Sequence, residues 1–279
     1  MSGAQAQQKV NVLASIEPLA QVLRELFEAH PHIAVDTLLL PQQNPHHAAL
    51  TPGQARRVLN SQMIVWLGAD AEPHIADIIQ KHGRLDVALT SQKQVLLLQE
   101  EHHGNHHSHV DPHLWLAPQN IIALVHGLDK HTAELGLSSK EWRQAKARFL
   151  ARLQRTQAEL TALLEPYQAS VYLSHHDAWG YFATTFHLQR PLVVAANIDS
   201  EASSRRVVQL RQQMQQQQVK CVVAEPEARK GLLRRLCTEG CVLYEVDPLG
   251  RDLPNAHYTQ FLHQLGTQFQ ACFTGEPQH

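Results

Sequence analysis

Nowhere does this 279-residue chain approach the ~20 consecutive apolar residues that an α-helix needs to cross a bilayer, so no membrane insertion is expected. Charge of either sign is not in excess. With 24 Lys and Arg against 26 Asp and Glu the formal charge is −2, whereas nucleic-acid binders carry a marked basic surplus, so nucleic acid is excluded as an expected partner. Cysteine is scarce, confined to Cys221, Cys237, Cys241 and Cys272, and no Cys-x-x-Cys occurs, which argues against a zinc ribbon or a thioredoxin-type centre. Disulfides are the expected use and place the chain in an oxidising compartment such as the bacterial periplasm; free buried thiols in a cytosolic protein are the alternative. Met1 to Gln8 contains no hydrophobic signal core, so the chain is either cytosolic or begins after a removed signal peptide. His-Glu-x-x-His, Gly-x-Ser-x-Gly and the Gly-rich phosphate loop are also missing, which removes the common signatures of zinc hydrolases, serine hydrolases and nucleotide binders.

What the chain has in unusual amount is histidine, 20 residues, far above the ordinary share. Imidazole is the commonest metal ligand and the side chain that titrates nearest neutral pH, so metal handling or pH sensing is implied. A hydrophobic content of 43% is enough for two cores of roughly 130 residues each.

Short β-branched runs alternate with helical periods, the pattern of βα units around mostly parallel sheets, and the fold class is α/β with two lobes. Strands are expected at Val10 to Ala14, Ile33 to Leu40, Ile64 to Leu67 and Val95 to Gln99, with helices at Pro18 to His30 and Pro52 to Asn60. Thr51 as N-cap and Pro52 at the first helical position open the second of these helices. From Ser138 to Tyr167 runs one long amphipathic stretch with Trp142, Ala145, Phe149, Leu153, Leu160 and Leu164 at helical spacing. It reads as a connecting helix at 138–167, between an N-terminal lobe at 1–137, with a His-rich loop at 100–110, and a C-terminal lobe at 168–279. The second half repeats the first, with strands near Val171 to Ser174, Leu192 to Ala195, Cys221 to Ala224 and Val242 to Val246, and helices from Trp179, Ser203, Arg229 and His257. The glutamine-rich run Gln209 to Gln218 reads as a solvated helix face.

In open parallel sheets ligands bind where the chain leaves the carboxyl ends of strands. His46, His113, His176 and Asp247 pass that filter, two from each half. Three imidazoles and a carboxylate converging on an interlobe cleft make a four-coordinate site suited to Zn2+ and unsuited to Mg2+ or Ca2+. A lone loop histidine is ordinarily a surface residue. Here Asn44-Pro45-His46 and Asp111-Pro112-His113-Leu114-Trp115 fix their rings with proline and apolar anchors. His175 is the rival of His176, and the adjoining Asp177 is expected to cap the following helix.

These segments are also where the chain resembles the zinc-binding solute-binding proteins of bacterial ABC importers, a family related to manganese-binding proteins and adhesin lipoproteins. Asn44-Pro45-His46-His47-Ala48-Ala49-Leu50-Thr51-Pro52 is similar to its Pro-His-x-x-x-Leu-x-Pro segment, and Asp111-Pro112-His113-Leu114-Trp115 to its Asp-Pro-His-x-Trp motif. His176-Asp177-Ala178-Trp179-Gly180-Tyr181-Phe182, Ala224-Glu225-Pro226 and Asp247-Pro248-Leu249-Gly250 follow in the family's order. The resemblance implies Zn2+ as cargo, an importer permease as partner, a periplasmic chain freed of its signal peptide, a long helix between two lobes, and His46, His113, His176 and Asp247 as ligands. A monomer is expected. Manganese-binding members have a carboxylate at the position of His176, so an imidazole there favours Zn2+ over Mn2+. Some zinc-binding relatives have Glu where this chain has Pro45, which leaves Asp247 or a water as fourth ligand. The resemblance further implies a disulfide between Cys221 and Cys272, with Cys237 and Cys241 as a second pair or free thiols. It also implies weaker metal binding in the loop that carries His102, His103, His106, His107 and His109. The rival readings are a metallohydrolase, which would need an open coordination position and a base such as Asp177, and a manganese-binding protein or adhesin.

Overall fold

The computed structural model describes residues 9–82, 85–99, 110–195, 202–238, 240–253, 255–276 and 278. These divide into two compact units, the described residues up to 99, 110–154 and 253–259 in the first, and those within 155–252 and 260–278 in the second. The fold class is α/β, as the alternating pattern indicated.

In the first unit β1 (Val10–Ala14), β2 (Ile33–Thr37), β3 (Met63–Trp66) and β4 (Asp86–Ala88) form a parallel sheet in the order β2-β1-β3-β4. All four residues of β3 are buried, as expected of a central strand covered on both faces. Helices α1 (Glu17–Leu26), α2 (Pro52–Asn60) and α3 (Pro73–His82) connect the strands. Leu13, Ile64 and Trp66 of the sheet pack with Val58 of α2 and Ile75 and Ile79 of α3. α2 opens on a complete capping box: Gln54 N donates to the Thr51 hydroxyl and Thr51 N donates to Gln54 Oε1. The same Gln54 side chain donates to the Leu38 carbonyl at 2.8 Å and to Gln43, so the loop from β2 to α2 is braced from within.

The fourth strand departs from expectation. Val95 to Gln99 is not a strand: Leu97 is exposed, and the backbone of Leu96 is bonded on both its N–H and its carbonyl by the side chain of buried Asn120. A run of apolar letters marks a strand only when a sheet edge is free to receive it, and the shorter Asp86–Ala88 already occupies the place beside β3. α4 (Pro118–Gly127) and α5 (Ser139–Leu164) follow. The six residues read at helical spacing on α5 are all buried, and the division between the units falls inside it, after Gln154.

In the second unit β5 (Tyr172–Ser174), β6 (Leu192–Val193), β7 (Cys221–Ala224) and β8 (Val242–Glu245) form a parallel sheet in the order β6-β5-β7-β8. This is the order of the first sheet again. α6 (Gly180–Phe186), α7 (Ser204–Gln216), α8 (Lys230–Leu236) and α9 (Tyr258–Thr274) accompany it. Phe269 of α9 lies 5.6 Å from Tyr172, 5.0 Å from Trp179 and 4.8 Å from Phe182 between ring centroids. Gly266 lets α9 approach α5 closely, since a Cβ there would stand 2.3 Å from Leu160. Disulfides join Cys221 of β7 to Cys272 of α9, and Cys237 to Cys241.

Candidate metal centre

Each sheet has its central pair, β1 and β3 or β5 and β7, where the connections leave in opposite directions, and such switch points are where open parallel sheets bind ligands. His176 and Glu225 leave the central strands β5 and β7, whereas His46, His113 and Asp247 follow the outer strands β2, β4 and β8.

In the first unit His46 stands in the braced loop after β2, its backbone N–H bonded to Asn44 Oδ1 at 2.9 Å in an Asx turn. His113 is buried and pinned twice by Asp111: Oδ1 accepts the His113 backbone N–H at 3.0 Å and lies 2.8 Å from ring Nδ1. Asp111 is itself buried, with its N–H on the Leu98 carbonyl. A carboxylate on Nδ1 selects the tautomer with its proton there and leaves Nε2 as the metal-binding nitrogen. Behind the ring, Leu114, Trp115 and Leu116 form one buried 3-10 turn, and Tyr258 Oη donates to the Trp115 carbonyl at 2.7 Å. The rings of His46 and His113 meet with centroids 5.1 Å apart. Replacing Asp111 by Ala is expected to weaken zinc binding about 10–100-fold, with Asp111→Asn milder because its amide oxygen still accepts the bond. Competitive chelator titration checks this, and an unchanged affinity in Asp111→Ala would remove the orienting role.

In the second unit β5 delivers His175 and His176 at its end, and β7 delivers Glu225. His175, His176 and Glu225 are all buried, and each offers a ligand atom within 4.8 Å of the others'. Glu225 Oε1 lies 3.3 Å from His176 Nδ1 and accepts the Ser174 hydroxyl at 3.2 Å. Burial raises the Glu225 carboxyl, but the neighbouring His176 charge and hydrogen bond outweigh it and hold the group below the carboxylate range. Burial lowers His175 and so favours its neutral form.

Asp247 follows β8, as the pattern required, yet its carboxylate is engaged. Oδ1 accepts from Leu249 N and Arg251 Nη2, and Oδ2 from Arg251 N and Nε, all between 2.8 and 3.0 Å. Arg251 also binds Glu227, and these acids hold its charge against burial. Asp177 is not a helix cap: α6 has Trp179 at its N-cap without a side-chain bond, and Asp177 pairs with Arg190 at 3.1 Å. His102, His103, His106, His107 and His109 lie outside the described residues.

Sequence reasoning assigned no role to Glu225, although the strand-end rule that selected His176 applies equally to the residue directly after β7. It also passed over Glu72 in the β3–α3 turn, where one oxygen accepts Leu67 N at 2.7 Å and burial pushes the carboxyl up to about 7.

Residues 12–272 match the model of the family described as the periplasmic component A, ZnuA, of the zinc-uptake complex. The high-affinity zinc uptake system protein ZnuA of Yersinia pestis is 26% identical over 289 aligned positions, which cover 94% of this chain and 90% of that protein. A crystal structure of ZnuA superposes with a TM-score of 0.82 at 20% identity, covering 95% of this chain and 100% of that one. A mutant structure of the laminin-binding adhesin Lmb from Streptococcus agalactiae reaches 0.80 at 15% identity, with 95% and 99% covered.

Proposed function

The chain belongs to the zinc-uptake component A family, and from that membership we propose that it captures Zn2+ with high affinity in the periplasm and delivers it to the membrane permease of an ABC-type importer. The protein binds and releases without catalysing a reaction, as a monomer. The carrying observation is the pair of fixed rings in the first unit: His46 and His113 lie beside one another, and Asp111 aims the second through Nε2.

Zinc is held by His46, His113 and His176. Nitrogen donors suit Zn2+ better than Mn2+. Because Asp247 is already satisfied by Arg251 and two backbone N–H groups, water takes the fourth position. Asp247→Ala is then expected to change zinc affinity less than about tenfold, whereas loss of a true ligand would cost far more. Titration of that variant decides between the two. The hydrolase reading also loses its base, since Asp177 is paired with Arg190.

Zinc enters by replacing protons, so acid opposes it. Imidazoles ordinarily titrate near 6.5, and between pH 7.5 and 5 protons compete for all three, so zinc affinity is expected to fall by at least about 100-fold. The sign is that of a ligand binding only the neutral rings: full affinity above the imidazole range, loss below it. Titrations across that range test the proposal, and a flat profile would contradict it.

A further inference from the structure

We infer that the second unit carries a zinc position of its own, formed by His175, His176 and Glu225, which the ion occupies in alternation with the position His176 shares with His46 and His113. The inference rests on the capture reading for its biological use, though not for its chemistry.

The three side chains sit at the switch point of the second sheet, His175 and His176 directly after β5 and Glu225 directly after β7. Their ligand atoms lie within 4.8 Å of one another, while two ligands on a tetrahedral zinc at ~2.0–2.1 Å are about 3.3 Å apart, so closure needs shifts on the order of 1 Å. The second observation is a polar account that does not balance. His175 is completely buried, and neither of its ring nitrogens has a hydrogen-bond partner among the described residues; Glu225 Oε2 is likewise buried and unpartnered. Buried polar atoms are nearly always paired, and leaving them bare costs free energy that a cation between them would recover.

This site is the weaker of the two. It offers two nitrogens and one carboxylate oxygen, and the positive charge of Arg229 reaches His175. Since His176 serves both positions, they exclude each other and the total stays at one zinc. Such a pair gives the ion a foothold that needs no ligand from the first unit.

The test uses the full chain with the five loop histidines at 102, 103, 106, 107 and 109 replaced by Ser, so that the loop does not contribute. In that background His46→Ala/His113→Ala is expected to retain one zinc, about 1000-fold weaker than the parent, by competitive titration. Adding His175→Ala or Glu225→Gln should remove this residual binding. Far-UV circular dichroism establishes that each variant is folded. Residual binding equal to that of the His46, His113 and His176 triple variant, or surviving His175→Ala, overturns the inference. Undiminished tight binding in His46→Ala/His113→Ala that vanishes with His175→Ala would support the second-unit site and overturn the capture set instead.

Discussion

A variant with His46, His113 and His176 all replaced by Ala is expected to lose high-affinity zinc binding altogether, a drop of at least about 10⁴-fold, or about 5.5 kcal/mol. Four-ligand zinc sites bind with roughly 10–16 kcal/mol, and a site stripped to one water retains no specific hold. His113 shows why these rings are worth so much. Its Nδ1 faces Asp111 at 2.8 Å and its backbone N–H meets the same oxygen, so the ring is oriented before the ion arrives and little ordering entropy remains to be lost. Elemental analysis after chelator treatment and reloading, with competitive titration of the loop-substituted chain, measures the effect. Retention of one tightly bound zinc would show that the ligands lie elsewhere. Stability without metal should barely change at His46, which is only partly buried, and should fall at His113 and His176, which are buried.

Removing the disulfide between Cys221 and Cys272 is expected to lower the unfolding free energy of the second unit by about 4 kcal/mol, the loop-closure value for a sequence separation of 51. The bridge between Cys237 and Cys241, with a separation of 4, closes a much shorter loop and is expected to contribute about 2 kcal/mol. Cys221→Ser/Cys272→Ser compared with Cys237→Ser/Cys241→Ser in denaturant melts gives both numbers. The reverse order would contradict the loop-entropy account. Zinc affinity below the melting transition should be untouched in both, because no sulfur belongs to the donor set. A loss of zinc with the cysteines would restore a thiol site.

Much of the architecture was legible because the relevant physics is local. Cys221–Ala224 is an apolar run buried at the centre of one sheet, Val10–Ala14 buries all but Asn11 at the centre of the other, and Pro52–Asn60 begins where Thr51, Pro52 and Gln54 make a cap, so all three segments match to the residue. Val95 to Gln99 failed because strand pairing is decided by neighbours distant in sequence, and Asn120 took the backbone groups that a ladder would have used. The candidate site divides in the same way. His46, His113 and His176 carry motifs in their immediate neighbours, and the places of His46 and His176 after strand ends followed from alternation, whereas His113 was expected after Val95 to Gln99, which is not a strand. The engagement of Asp247 by Arg251 and the approach of Glu225 to His176 depend on side-chain directions after folding. Spacing does not encode such directions. Glu225 is 49 positions from His176 and meets it only because β5 and β7 are neighbours.

The most direct measurement is anomalous diffraction at the zinc edge from crystals of the zinc-loaded chain. One peak is predicted within bonding distance, ~2.0–2.1 Å, of nitrogens from His46, His113 and His176, through Nε2 in the case of His113, with no sulfur nearby. A peak bonded to none of these rings, or no peak at all in protein that elemental analysis shows to be loaded, would contradict the account.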